Sequence, residues 1–162
     1  NRKLIVAVSG GFDPLHIGHV RFMEEAKSLG DELVVILNND NWLKKKKGYV
    51  FMSEKERKEV IEALRPVNRV IITSHAKNAK DMSVSKELRK IRPDIFANGG
   101  DRNIPDSKKK SSSLNPEVEL CRRLGIRMAW NVGKGGKIQS SSWLLRKYLS
   151  VDKAGLRKAK KR

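Results

Sequence analysis

The chain has 162 residues, of which 38% are hydrophobic and 33% charged, and its net charge is +18. That length fits one domain with a single core, and the composition excludes a disordered chain. No apolar run approaches a membrane span, and the basic start lacks the apolar block of a signal peptide. Cys121 is the one cysteine, so no internal disulfide forms and a reducing, cytoplasmic setting is expected. It sits in "EVELCRRLG", a helical pattern in which a packed thiol is the better reading than a nucleophile. The positive charge gathers at Lys44 to Lys47, at Lys108 to Lys110 and from Lys153 to Arg162. It fits either a polyanion-binding protein or an enzyme for phosphorylated small molecules.

Strand-like and helix-like segments alternate along the chain. "KLIVAVS" reads as a strand, followed by "HVRFMEEAKSLG", a helix with Val20, Met23 and Ala26 at helical spacing and Gly30 as its stop. "ELVVILN" is apolar almost throughout, as a parallel strand covered on both faces should be. A loop holding the lysine cluster is expected next. Ser53 then caps "EKERKEVIEALR", with Glu56 placed to complete a capping box and Pro66 ending the helix. "VNRVIIT", "DIFANGG" and "IRMAWNV" read as three more strands. "SVSKELRKIR", "NPEVELCRRLG" and "SSSWLLRKYLS" read as the helices between and after them. The pattern predicts an α/β fold: a doubly wound, five-stranded parallel sheet with right-handed crossovers. Ligands of such sheets bind beyond the carboxyl ends of the strands. "DRNIPDSKKKSSS" is expected to be a loop, and residues 151–162 a basic, disordered tail.

The densest chemistry is in "SGGFDPLHIGH", residues 9–19. Gly10 and Gly11 would let the backbone pass close to a ligand, and Pro14 fixes the turn. His16 and His19 then open a helix, whose start offers unpaired N–H groups and the positive end of the dipole. Two imidazoles three positions apart share one face of that turn and can donate to a triphosphate. A metal pair is disfavoured, because no cysteine follows at ligand spacing and His75 is the one other histidine.

"GGFDPLHIGH" resembles the signature of the nucleotidyltransferase superfamily that includes glycerol-3-phosphate cytidylyltransferase and the adenylyltransferase half of ADP-heptose synthase. The resemblance runs from Leu4 to about Tyr148. It implies a Rossmann-like nucleotidyltransferase fold, a catalytic domain over residues 1–150, and a nucleotide lined by Gly10, Gly11, Phe12, Asp13 and Gly18. "NNDNWLKKKKG" resembles the family's loop in which lysines reach the phosphates, with Lys44 and Lys47 matching best. "EKERKEVIEALRPVNRVI" resembles the segment whose arginine, here Arg57, holds substrate. "RPDIFANGGD" implies that Gly99, Gly100 and Asp101 line the nucleotide pocket, and "SSSWLLRK" that Ser140, Ser141 and Ser142 bind the triphosphate. Trp143 and the lack of threonine depart from the common form of that last motif. Hydroxyls at a helix start are suitable phosphate donors in any case.

The expected reaction is transfer of AMP or CMP from ATP or CTP to a phosphorylated sugar or polyol, with release of pyrophosphate. No protein nucleophile is needed: the acceptor phosphate attacks the α-phosphorus in line, so catalysis is positioning and charge neutralisation. His16 and His19 would face the α- and β-phosphates, and Lys44 and Lys47 the acceptor phosphate. Mg²⁺ would bridge phosphate oxygens. Asp13 and Asp40 are candidates for organising this end, with a simple capping role equally open, and Asp40 and Lys47 stand with Arg57 as substrate contacts. The family further implies a homodimer. "HIGH" also marks class I aminoacyl-tRNA synthetases, but the chain is too short for their added domains, and "DMSVSK" reads as a capped helix rather than their lysine loop. No P-loop pattern is present. The rival from another class is a basic α/β nucleic-acid-binding protein, with non-specific contact through the tail. Its weakness is that aromatics, 6% of residues, are not interleaved with the lysine runs.

Overall fold

The computed structural model describes residues 2–100, 114–133 and 140–151. Asp101, the segment 102–113 and the tail from 152 lie outside the described residues. The strands are β1 (Ile5–Gly10), β2 (Glu32–Leu37), β3 (Arg69–Ile72), β4 (Ile95–Gly99) and β5 (Arg127–Val132). The described helices are α1 (Ile17–Ser28), α2 (Asp40–Lys47), α3 (Glu54–Glu62), α4 (Ser85–Ile91), α5 (Leu114–Leu124) and α6 (Ser141–Leu149).

All strand pairs are parallel and the order is β3-β2-β1-β4-β5. The expected doubly wound, Rossmann-like α/β sheet is therefore what the chain forms. Alternate residues of each central strand feed opposite faces. Val6, Val8, Leu33, Val35, Leu37, Ile95 and Ala97 pack in one buried cluster with Met23 and Ala26 of α1 and Ile61 of α3. Ala7, Ile36 and Phe96 pack in the other with Leu88 of α4 and Leu120 and Cys121 of α5. Cys121 is buried there, and burial pushes its thiol up to about 11, which suits a packed residue and not a nucleophile.

The chain order reverses between β1 and β4, so the carboxyl ends of those strands, at Gly10 and Gly99, flank the crevice of the sheet. The lysine cluster corrects the sequence expectation, because it lies on a helix and not in a loop. Asn39 caps α2, its side chain accepting from the Trp42 amide at 3.0 Å, and Gly48 closes it in the left-handed conformation with φ 84°. Leu43 is the fully buried side chain of the helix, and the Trp42 indole N–H adds a hydrogen bond to the Met82 carbonyl at 2.9 Å. Lysines at a helix C-terminus also complement the negative end of the dipole.

Two smaller differences have local causes. α4 starts at Ser85 and not at Ser83, because the Asp81 carboxylate accepts from both the Ser83 amide (2.9 Å) and hydroxyl (2.6 Å) and holds a turn there. At α3 the Ser53 side chain accepts from the Glu56 amide at 3.3 Å, which is the Ser53 half of the expected capping box.

Leu43→Ala is expected to cost about 2–5 kcal/mol in urea unfolding, as for other fully buried leucines. A change below about 0.5 kcal/mol, the usual range for surface sites, would show that α2 is not anchored there.

Candidate active site

The mouth of α1 is built by its two histidines. His16 is the N-cap, in extended conformation, and its Nδ1 accepts from the Gly18 amide at 3.1 Å. His19 returns the favour: its Nδ1 accepts from the His16 amide at 3.2 Å. The pair thus forms a capping box in which imidazoles take the parts usually played by Ser and Glu. The His19 amide meanwhile donates to the His16 carbonyl. Backbone donors that the sequence reading left open for an anion are therefore partly used by the histidines themselves.

This geometry fixes the chemistry of the rings. A nitrogen that accepts a hydrogen bond carries no proton, so each neutral imidazole holds its proton on Nε2. Because Nδ1 is bonded to N–H groups at the positive end of α1, each ring passes that polarity on to its Nε2–H. The rings stack with centroids 3.7 Å apart at 26°, and Phe12 meets His19 edge-on at 4.9 Å and 87°. Burial, the neighbouring His16 and the Lys47 ammonium together push the His19 pKa down to about 3. His19 is a neutral donor at physiological pH.

Lys47 ends α2, and its ammonium is the smallest of the three influences that lower the His19 pKa. Lys44 lies one turn back and is exposed, whereas Lys45 donates to the Ala79 carbonyl and so faces another loop.

Phe12 explains its neighbour. Its backbone has φ 49°, and a Cβ on Gly10 would sit 2.8 Å from its ring. A Cβ on Gly11 would sit 2.8 Å from Leu43 Cδ2. A Cβ at either glycine would thus run into this protein's own side chains. At Gly99 and Gly100, by contrast, an added Cβ would meet nothing nearer than 3.9 Å. Gly18 lies in the first turn of α1, its amide on His16.

Arg57, read from sequence as a substrate contact, lies beneath the site. It is 1% exposed. Its Nε donates to the Met52 carbonyl (2.9 Å), Nη1 to the carbonyls of Gly11 (2.8 Å) and Asn38 (2.7 Å), and Nη2 to Asp40 Oδ1 (2.7 Å). Asp40 is thereby engaged by Arg57, and its amide donates to Glu54 Oε1. Asp13 is buried as well: its two oxygens accept from the amides of Phe51 (2.6 Å) and Met52 (2.7 Å). These acids and the arginine tie the ends of β1 and β2 to the 48–53 loop.

The last helix joins the same place. Ser141 is buried, and its hydroxyl donates to the Pro14 carbonyl at 2.8 Å, which sets the start of α6 beside the loop that leads into α1. Ser140 is the N-cap and Ser142 stands half-buried in the first turn. His75 is a strut on the β3 side, its ring bridging the Thr73 hydroxyl (2.8 Å) and the Ser83 carbonyl (2.9 Å), while Thr73 accepts from the Asn39 amide. Asn39, Thr73 and His75 were missed as site-building residues. The signals for Asn39 were present in "NNDNWL" before the lysines and the glycine after them.

Two helix starts, a pair of imidazoles and a lysine-rich helix gather at the switch point of a parallel sheet, where ligands of such sheets bind. Residues 7–140 match the cytidylyltransferase-like family, and the chain belongs to it. The FAD synthase of Pyrococcus horikoshii is 38% identical over 125 residues, 75% of this chain and 81% of that protein. The FAD synthase of Pyrococcus abyssi is 40% identical over 126 residues, with the same coverage. Among solved structures, a lipopolysaccharide core biosynthesis protein from Thermoplasma volcanium superposes with a TM-score of 0.60 at 27% identity, over 82% of this chain and 98% of the other. The chain is a nucleotidyltransferase. No described helix is long and apolar enough to cross a membrane.

The low pKa of His19 has a testable sign. Below about 6.5 the unfolded chain protonates this residue and the folded chain does not, so its contribution to stability falls as pH drops towards 3. Its ring signals in NMR should stay constant between pH 5 and pH 8; a midpoint near 6.5 would contradict the buried, neutral state.

Proposed function

We propose that this chain makes FAD, transferring AMP from ATP to FMN and releasing pyrophosphate. The geometry that carries the reading is the reciprocally capped pair His16 and His19, whose Nδ1 atoms accept from backbone amides and so leave Nε2–H as the donor at the mouth of α1. The FAD synthase relatives support the choice of nucleotide and acceptor. FMN is a phosphorylated polyol carrying a flavin on its ribityl chain. The acceptor class expected from sequence is thereby narrowed, and ATP is favoured over CTP because FAD contains AMP.

An FMN phosphate oxygen attacks the α-phosphorus of ATP, the bond to the β-phosphate oxygen breaks, and pyrophosphate leaves with the electron pair. The Nε2–H groups of His16 and His19 donate to the phosphate oxygens that gain charge. Lys47, with Lys44, neutralises the acceptor phosphate. The start of α6, with Ser140 and Ser142, takes the far end of the triphosphate, and the open surface at Gly99 and Gly100 lies along the nucleoside. Arg57, Asp13 and Asp40 act as positioning residues. The described residues contain no cluster of three His, Cys, Asp or Glu side chains that would cage a metal. Mg²⁺ brought in with the nucleotide would add charge neutralisation there.

Incubation with ATP and FMN should yield FAD and pyrophosphate in equal amounts. Turnover of a sugar phosphate with no FAD formed would overturn the reading. His19→Ala should lower kcat by about 10²–10³ with the circular dichroism spectrum kept, as loss of one preorganised donor does elsewhere. Near wild-type pyrophosphate release would contradict the role given to that ring.

A further inference from the structure

The 48–53 loop carries a feature that the phosphate chemistry leaves unused. Phe51 is 55% exposed and Tyr49 38% exposed, in a short segment directly after Lys47. Their backbone is not loose: the Phe51 and Met52 amides are held by the buried Asp13 carboxylate, and the Met52 carbonyl by Arg57. An apolar ring is thus presented to solvent on an anchored backbone, a cost in hydration unless something covers it.

We infer that Phe51, with Tyr49 beside it, is the stacking platform for the isoalloxazine ring of the acceptor, an inference that rests on the FMN reading. The topology supplies the reasons. The acceptor phosphate is drawn to Lys47, whose charge already reaches His19. Phe51 follows Lys47 by four residues, so their backbones stand within about 14 Å of each other, a span open to a ribityl chain. The flavin is a broad, planar, largely apolar ring joined to an anionic phosphate, and the loop offers aromatic faces beside a cationic residue. Pinning the loop beforehand lowers the ordering cost of binding. A small sugar phosphate would use the lysine and leave the rings bare, so the platform would set acceptor specificity and not rate.

The test is FMN fluorescence titrated with wild type, Phe51→Ala and Phe51→Trp, together with KM for each substrate in FAD formation. Wild type should quench the flavin. Phe51→Ala should weaken FMN by about 5- to 100-fold, the range of a ring–aromatic stack, with KM for ATP unchanged. Phe51→Trp should restore FMN binding. Equal FMN affinity in wild type and Phe51→Ala, with wild type making FAD, would overturn the platform and leave FAD synthesis standing. Loss of ATP and FMN affinity together in Phe51→Ala would overturn it too, by making the ring a prop for the loop. If wild type neither quenches FMN nor forms FAD, the FAD reading and the platform fall together.

Discussion

A single buried guanidinium holds this site together. Arg57 rises from α3 and spends donors on Gly11 at the end of β1, Asn38 at the end of β2, Met52 in the following loop and Asp40 at the start of α2. Burying a charge is costly unless nearly every proton finds an acceptor, and here the carbonyls and one carboxylate supply them. A lysine cannot reproduce a planar fork that reaches four segments at once. Asp13 works from the opposite side, taking the Phe51 and Met52 amides on its two oxygens. With both in place, the loop after α2 has little freedom relative to the mouth of α1.

The rest of the site depends on that rigidity. The histidine box orients two Nε2–H donors without using an external group, and burial keeps His19 uncharged. Neutral donors suit a site in which phosphate charge builds up and then leaves: they stabilise it without holding the product as a fixed cation would. Lysine charge arrives from the separate helix α2, docked by Leu43 against Gly11. Ser141 draws α6 to Pro14, so a second helix start faces the same loop. Charge, dipole and hydrogen-bond donors therefore converge from elements distant in sequence.

Much of the fold was legible in the sequence, and the reasons are specific. "ELVVIL" carries an apolar signature that only a strand covered on both faces explains, and Gly30, Pro66 and Pro93 punctuate the helices. α2 was illegible as a helix because Leu43 is its one buried side chain, so no amphipathic period exists to be read. Its caps, Asn39 and Gly48, were the available clue. Arg57 sits among charged residues in "EKERKEV", and nothing local distinguishes it from an exposed lysine. Its burial depends on carbonyls of Gly11 and Asn38, 46 and 19 residues away in sequence. Spacing placed His16 and His19 on one turn, while their reciprocal capping needed the extended backbone at His16. At Gly10 and Gly11 the packing adds a constraint that the sequence does not reveal, because a Cβ there would press on the ring of Phe12 and a methyl of Leu43.

The most direct measurement is on Arg57→Lys, which keeps the charge and removes the fork. Amide exchange at Phe51 and Met52 should speed up and the rate of nucleotidyl transfer, read as pyrophosphate release, should fall at least about tenfold, more than the lost global stability explains, while the sheet stays folded. Unchanged loop protection together with wild-type turnover would contradict the view that this guanidinium positions the catalytic groups.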